Sequence, residues 1–230
     1  MKICGIQKLS LQDFPEKLSA IVFTGGCNLR CPFCHNAGLA LGNGQEEIMS
    51  EDQLLSFLEK RKGRLEGVCI SGGEPTLQPD LEDFIRKVRA QGFAVKLDTN
   101  GTNPEKLARL IDEGLLDYVA MDIKNSPAKY GETSGIDGMN TDNIQKSIDI
   151  LMQNRVPYEF RTTVVEEFHT VEDIQDIGSW IKGAPRYYLQ TFVDSGGLIA
   201  QNLHAVDAET MLKMKNAAQQ YVENTKIRGE

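Results

Sequence analysis

The strongest constraint on the fold is a regular alternation between short apolar runs and amphipathic segments of helical period. The apolar runs are nearly continuous in hydrophobicity, which is typical of strands in a parallel sheet that helices cover. Six runs are predicted as strands: 18–23, 67–70, 93–97, 118–121, 158–165 and 187–189. The alternation therefore predicts about six βα units.

The segments between these runs carry signals for six helices. Ser50 to Gln53 reads as a capping box, Asn103-Pro104 places a cap residue before a helix-starting proline, and Thr170 opens a further helix. The other three are indicated by apolar stripes at helical spacing across 81–88, 144–151 and 207–222.

Six units in 230 residues predict an α/β fold with an incomplete (β/α)6 TIM-like barrel of parallel strands and outer helices, because a complete eight-fold barrel typically needs about 250 residues. A doubly wound open sheet is the competing arrangement. The sequence shows no repeat, linker or low-complexity tract, so residues 1–230 are predicted to form a single domain. Residues 38–44 and 193–203, which contain paired or spaced glycines, are predicted as loops.

The composition narrows the classes of partner. A net charge of -8 argues against nucleic acid, because phosphate binding requires a basic face. No stretch approaches the roughly 20 apolar residues of a membrane span, and residues 1–15 contain no apolar run of signal-peptide length. We therefore expect a cytoplasmic protein that binds neither nucleic acid nor a membrane.

The cysteines provide the clearest chemical signal. Three of the five, Cys27, Cys31 and Cys34, fall within eight positions in a loop directly after the first predicted strand. In βα barrels the active site is built at that edge of the strands. A disulfide framework would spread its cysteines along the chain, so this clustering indicates metal or redox chemistry in a reducing compartment.

Three kinds of cysteine site are compatible with part of this motif. A thioredoxin-like dithiol needs only Cys31 and Cys34 and should open a helix, whereas loop glycines follow here. A structural zinc site requires four ligands, and His35 is poorly placed as the fourth. A 4Fe–4S cluster is normally held by four thiolates, so three would leave one iron open to a cofactor. The spacing favours the cluster.

The motif C-x-x-x-C-x-x-C after the first strand resembles the signature of the radical S-adenosylmethionine superfamily. His35-Asn36 after the motif is similar to the activating enzymes of glycyl radical enzymes. The stretch 9–15, Leu-Ser-Leu-Gln-Asp-Phe-Pro, resembles the longer activating proteins of anaerobic ribonucleoside-triphosphate reductase. The likeness runs from about residue 3 to 192, and Glu16 stands where such proteins usually carry glycine.

This resemblance implies a single 4Fe–4S cluster on the three cysteines, with S-adenosylmethionine bound beside it. Phe33 and His35 are expected to lie next to the cofactor. Gly72, Gly73 and Glu74, which follow the second predicted strand, are expected to bind the methionyl amino group. Close backbone approach by glycine and an ammonium-binding carboxylate suit that role.

The later strand ends supply the remaining expected contacts. The resemblance assigns Asp122 and Lys124 to the methionyl amino and carboxylate groups, with Thr99 nearby. Arg161 is expected on the cofactor's ribose or carboxylate, although an outward position on a covered strand is an equal alternative. Gln190 stands where related activating enzymes carry a histidine near the adenosine. Capping and turn formation are the alternative roles of the polar strand ends.

Several other residues are expected to be structural. His169 and His204 are predicted to lie on the surface, Trp180 to pack within a core or between helix and sheet, and Cys4 and Cys69 to be small buried hydrophobic residues.

The implied activity is reductive cleavage of S-adenosylmethionine followed by formation of a glycyl radical on a partner enzyme, with anaerobic ribonucleotide reductase as the expected partner. A low-potential donor such as flavodoxin or ferredoxin would supply the electron. Two alternatives remain open: a radical enzyme that acts on a small molecule, of the 7-carboxy-7-deazaguanine synthase type, and a non-catalytic iron–sulfur redox module.

Overall fold

The computed structural model describes residues 1–42, 48–194 and 196–229. Within these ranges, eight strands form one sheet in strict sequence order. The first is antiparallel to the second, and all later neighbours are parallel. Their ranges are β1 Ile3–Ser10, β2 Ser19–Thr24, β3 Gly67–Gly72, β4 Ala94–Thr99, β5 Tyr118–Asp122, β6 Tyr158–Val164, β7 Tyr187–Thr191 and β8 Thr225–Arg228.

The order of the strands confirms the incomplete barrel. In a doubly wound sheet the strand order reverses at a switch point, and here it does not. The six predicted strands correspond to β2–β7. The two terminal strands escaped prediction because β1 has register irregularities that break its alternation, and β8 has only four residues, two of them basic.

Among the described residues, eight α-helices connect and cover the strands. They are α1 Ala37–Leu41, α2 Glu51–Glu59, α3 Leu81–Ala90, α4 Pro104–Asp112, α5 Tyr130–Ser134, α6 Asp142–Met152, α7 Val171–Trp180 and α8 Ala208–Gln219. The six predicted helices are α2, α3, α4, α6, α7 and α8. No helix in these described ranges is long and apolar enough to cross a membrane.

Two helices begin at the cap residues that the sequence predicted. Ser50 and Thr170 each accept a hydrogen bond from the backbone three residues later, and the side chains of Gln53 and Asp173 bond back to the cap residue. These reciprocal bonds satisfy backbone N–H groups that lack partners inside the helix.

The prediction of a loop over residues 38–44 was wrong in its first part. Residues 38–41 belong to the single-turn helix α1, which ends where Gly42 adopts a left-handed conformation. Residues 43 and 44 lie outside the described part of the chain. A short helix therefore does follow the cysteines. The argument that a thioredoxin-like dithiol would need a helix there no longer counts against that type of site. The second predicted loop, 193–203, contains neither helix nor strand in its described residues.

Packing divides the side chains into an outer core and a polar barrel interior. The main core lies between the sheet and the outer helices. Trp180 packs there as predicted, edge-on against Tyr130, and Cys4 and Cys69 are buried as predicted. His204 is exposed, as predicted.

The prediction that His169 lies on the surface was wrong. This side chain is 3% exposed, and its Nε2 lies 2.8 Å from the Lys124 carbonyl oxygen. Burial lowers the pKa of His169, which favours the neutral ring. The residue links the end of β5 to the segment after β6, a role that only the tertiary contact reveals.

Candidate functional site

One cavity of about 370 Å³ opens at the carboxyl ends of the parallel strands. All thirteen residues that the sequence marked as candidates line this cavity, although they belong to six different strands or to the loops that follow them. They are Cys27, Cys31, Cys34, Phe33, His35, Gly72, Gly73, Glu74, Thr99, Asp122, Lys124, Arg161 and Gln190. Arg161 therefore faces the barrel interior and not the outer helices.

The loop that carries the three cysteines is held by backbone hydrogen bonds to three separate segments. Gly26 donates to the Leu39 carbonyl at 2.8 Å, and Arg30 donates to the Ser134 carbonyl at 2.8 Å. The Ala200 N–H donates to the Pro32 carbonyl at 2.9 Å. These bonds connect the loop to α1, to the end of α5 and to the segment after β7.

A small apolar cluster surrounds the cysteine loop on its far side. Phe192 belongs to it and stacks on His35 with ring centroids 5.7 Å apart. Such packing excludes water from one side of the loop and lowers the local dielectric. The buried members of the cluster are Leu29, Cys31, Phe33, Val165, Phe192 and Leu203.

The arrangement of the three thiols does not match a mononuclear metal site. All three cysteines are free. Tetrahedral zinc with Zn–S bonds of about 2.3 Å would place its sulfurs about 3.8 Å apart. In the described part of the chain, the three Sγ atoms are not gathered within 4.8 Å of one another. This wider spacing suits a cluster that offers a different iron to each thiolate.

The raised pKa values of two of these thiols also argue against a redox dithiol. Burial raises the pKa of Cys31 to about 11, against a smaller opposing effect of the Lys124 ammonium. Burial likewise raises the pKa of Cys27, opposed by the Leu29 N–H. Reactive cysteines have a lowered pKa instead. These thiols lose their protons when a metal binds, which couples metal binding to deprotonation.

A chain of alternating charges crosses the floor of the cavity. Lys96 pairs with Asp98, whose other oxygen lies 3.4 Å from Arg161 Nη1. The Nε of Arg161 donates to Asp122 at 2.9 Å, and Lys124 Nζ donates to the second Asp122 oxygen at 3.1 Å. The register explains this geometry, since Asp122 lies opposite Arg161 between β5 and β6.

These contacts set the charge states in the cavity. Burial alone would raise the pKa of Asp122, but Arg161 and Lys124 outweigh it and hold the pKa at about 2. The pKa values of Lys124 and Arg161 are raised because their neighbouring carboxylates outweigh the cost of burial. All three groups are therefore charged at neutral pH, and the cavity presents both signs to a zwitterionic ligand.

Glu74 is almost completely buried and has a full set of protein partners. Its Oε1 accepts hydrogen bonds from the Thr76 N–H, the Thr76 hydroxyl and the Thr99 hydroxyl at 2.6–3.0 Å. Its Oε2 accepts from the Asn100 N–H at 2.7 Å. The Glu74 carboxylate thus connects the ends of β3 and β4 and holds in place the segment that contains Gly72 and Gly73.

Gly73 permits a close approach between two loops. A Cβ atom there would lie 1.9 Å from the Gly26 carbonyl oxygen, which no side chain could tolerate. The neighbouring Glu74 N–H donates to that same oxygen at 2.8 Å. Glycine at position 73 is therefore required for the loop after β3 to pack against the cysteine loop.

Sequence reasoning did not single out four residues of this region. Asp98, inside β4, and Asn100, directly after it, were considered only as part of a polar strand end. Asp13 belongs to the N-terminal stretch that was noted only for its resemblance. All three line the cavity. Lys96 lies below it, 1% exposed. A lysine inside an apolar run was the signal, because such a charge is costly unless it is paired.

Comparison with known sequences identifies relatives for this arrangement. A sequence model of the radical SAM superfamily matches residues 21–181. A protein of Methanocaldococcus jannaschii named as a glycyl-radical enzyme activating enzyme is 38% identical, over 98% of this chain and 95% of its own length. The pyruvate formate-lyase-activating enzyme of Clostridium pasteurianum is 35% identical, over 53% of each chain. This chain thus spans nearly all of the first relative and about half of the second.

Solved structures share the fold at low sequence identity. SuiB from Streptococcus suis superposes with a TM-score of 0.69 at 16% identity, over 91% of this chain and 48% of its own. The enzyme anSMEcpe with bound AdoMet gives 0.67 at 16% identity, over 89% of this chain and 61% of its own. Both comparisons support the unclosed barrel.

Proposed function

Since this chain belongs to the radical SAM superfamily, which uses a 4Fe–4S cluster and S-adenosylmethionine, we propose that it generates a glycyl radical on a partner enzyme. The family relationship extends to the activating type, because the relative with that name aligns over nearly its whole length. When bound, the cluster and the cofactor supply the one-electron reductive cleavage. The chain's own residues bind, orient and shield them.

Cys27, Cys31 and Cys34 are the proposed cluster ligands. They line the cavity, they are free, and at least two of their sulfurs lie more than 4.8 Å apart. No fourth cysteine or glutamate is free in the described lining, since Glu74 is fully bonded within the protein. The donor set therefore fits a cluster with one open iron.

The charged residues across the cavity are the proposed binding site of the methionyl group. Asp122 has room to accept a bond from an ammonium group beside those from Arg161 and Lys124, because a carboxylate has about four acceptor positions. Lys124 and Arg161 are the proposed partners of the carboxylate and the ribose. Gly72 and Gly73 offer backbone groups to the ammonium, and Glu74 and Thr99 hold that backbone in place.

The aromatic and polar residues nearest the cysteines complete the proposed pocket. Phe33 and His35 lie beside the cluster position, and the stacking of His35 on Phe192 fixes the ring. Gln190 lies next to the last residue of β7, lines the same cavity and is the proposed contact to the adenosine. A neutral amide there can both donate and accept, as recognition of a purine edge requires.

The single observation that carries the choice of substrate is the likeness to a glycyl-radical enzyme activating enzyme over 98% of this chain. The cavity is compatible with that choice. At about 370 Å³ it is near the lower end of the roughly 300–1,000 Å³ found for small-molecule sites. One bound cofactor would occupy most of that volume. The barrel interior below is filled by the paired side chains of Lys96, Asp98 and Arg161. A second space of about 240 Å³ adjoins the cavity past Arg161 and Gln190, so volume by itself does not choose between a small molecule and a loop of a partner protein. The relative named as an activating enzyme favours the loop.

The proposed partner is anaerobic ribonucleoside-triphosphate reductase, with flavodoxin or ferredoxin as the electron donor. The test is to reconstitute the protein with iron and sulfide without oxygen, add S-adenosylmethionine and a low-potential reductant, and measure 5′-deoxyadenosine. The same mixture is then incubated with candidate glycyl radical enzymes, and the glycyl radical is recorded by electron paramagnetic resonance. A radical on the reductase supports the assignment.

The other outcomes identify the alternatives. Cofactor cleavage without a radical on any glycyl radical enzyme would point to a small-molecule substrate of the deazaguanine type. A stable cluster that never cleaves the cofactor would indicate a redox module. A radical on another glycyl radical enzyme, but none on the reductase, would keep the activity and replace the partner.

A further inference from the structure

Asn100 occupies a fixed orientation between the end of β4 and the cysteine loop. Its Oδ1 accepts hydrogen bonds from the Thr102 N–H at 3.0 Å and the Thr102 hydroxyl at 2.6 Å. Because the Thr102 N–H can only donate, that side of the amide must be the oxygen. The Nδ2 group therefore faces the other way, toward Asn28 and Cys27.

The two hydrogens of that amide group have different acceptors. One points to Asn28 Oδ1 at 3.0 Å, and the other points to Cys27 Sγ at 3.8 Å. Asn28 in turn donates to the Thr102 hydroxyl at 2.9 Å, which closes a ring of three polar side chains. Asn100 is also held through its backbone, which donates to Glu74.

Cys27 differs from the other two clustered cysteines in these contacts. The Leu29 N–H lies 3.4 Å from its sulfur, so Cys27 Sγ faces two N–H donors. Within the described ranges, neither Cys31 nor Cys34 accepts a hydrogen bond at sulfur. The three proposed cluster ligands are therefore electrostatically unequal.

We propose that Asn100 raises the reduction potential of the cluster by donating a hydrogen bond to the Cys27 thiolate. Reduction adds one electron to the cluster and increases the negative charge on its sulfur ligands. An N–H donor stabilises that more negative state, and hydrogen bonds to sulfur are among the factors that set such potentials. The low exposure of Asn100, 6%, limits screening by water. The inference rests on the proposed cluster site.

The test compares two substitutions in the same ring. Asn100→Leu removes the donor and keeps the number and branching of the side-chain heavy atoms, and the smaller Asn100→Ala controls for the larger volume of leucine. Thr102→Val is the matched control, because it removes the ring hydroxyl but keeps the Thr102 N–H bond that orients Asn100. Each variant is reconstituted, its iron content is measured, and its cluster is titrated with dithionite against redox dyes in the absence of S-adenosylmethionine.

We expect Asn100→Leu to shift the reduction equilibrium about tenfold toward the oxidised cluster, which is about 59 mV for a one-electron couple. Thr102→Val should leave the potential unchanged. Equal potentials in the wild type and Asn100→Leu, or equal shifts in both variants, would overturn the proposal. If neither Asn100→Leu nor the smaller Asn100→Ala takes up iron, Asn100 holds the loop and does not tune the cluster. Absence of a cluster in the wild type would reject the proposed function itself.

Discussion

Replacement of Asp122 by asparagine tests the charged floor of the cavity and the proposed binding of the methionyl group together. The substitution keeps the shape of the side chain and removes its charge. It leaves Lys124 without its carboxylate partner in the described part of the chain, whereas Arg161 retains Asp98. We expect lower stability and weaker binding of S-adenosylmethionine, with the iron content unchanged.

The magnitude follows from the pKa of Asp122. A fall from 3.8 to about 2 corresponds to about 2.4 kcal/mol at neutral pH, since one pKa unit is worth about 1.36 kcal/mol. The side chain is 30% exposed, so screening by solvent reduces the expected loss of unfolding free energy to about 1–2 kcal/mol. Because the folded-state pKa lies below the ordinary value, this stabilisation is present above about pH 4 and disappears as the pH falls toward 2.

Urea unfolding of the apoprotein at pH 7, 5 and 3 measures the contribution of the Asp122 charge to stability. Anaerobic titration of the reconstituted protein with S-adenosylmethionine measures the cofactor affinity. The stability difference between wild type and Asp122→Asn should be smaller at pH 3 than at pH 7. Loss of a charge-assisted bond should weaken cofactor binding roughly ten- to hundredfold. Asp176→Asn is the control, because Asp176 is exposed on α7 and forms no ion pair with the residues described.

Lys124→Met extends the test to the other member of the pair. This substitution removes one bond and leaves Asp122 paired with Arg161. Lys124→Met should therefore lose less stability than Asp122→Asn, while its affinity for S-adenosylmethionine also falls. Unchanged cofactor affinity in both variants would remove the end of β5 from the binding site. Unchanged stability and pH dependence in Asp122→Asn would refute the ion-network reasoning.

Three further predictions concern the cysteines, a strained turn and a close contact. Alanine at Cys27, Cys31 or Cys34 should abolish iron retention and cofactor cleavage, whereas Cys4→Ala and Cys69→Ala should keep both, as iron and 5′-deoxyadenosine assays will show. Glu16→Gly should raise the unfolding free energy by about 0.5–1 kcal/mol in urea melts, because Glu16 adopts a φ of 63° that glycine tolerates better; a loss would refute the strain. Gly135→Ala should weaken iron retention, since its Cβ would lie 2.2 Å from the Arg30 carbonyl oxygen. The control Gly138→Ala has a similar φ and open space, so equal effects would mean that backbone strain, and not the contact with the cysteine loop, is responsible.

The parts of the fold that sequence reasoning predicted are those with local signals. The six central strands correspond to nearly continuous apolar runs, and helices such as α2 and α7 begin with reciprocal caps formed by residues three positions apart. The same reasoning missed α1 and α5, which have five residues each. Helices this short have little propensity of their own and depend on tertiary contacts.

The sequence by itself determined the chemistry of this protein: three thiols at a fixed spacing after a strand, and polar residues at successive strand ends. Because parallel strands place their carboxyl ends at one edge, those residues could be predicted to meet without knowledge of their distances. Only the tertiary structure decided how they interact. It paired Asp122 with Arg161 across β5 and β6, bonded Glu74 to Thr99 and Asn100 at the end of β4, buried His169, and turned the Asn100 amide toward Cys27. The physical reason is that such contacts join residues between 25 and 73 positions apart, and their register and orientation depend on the packing of the whole barrel.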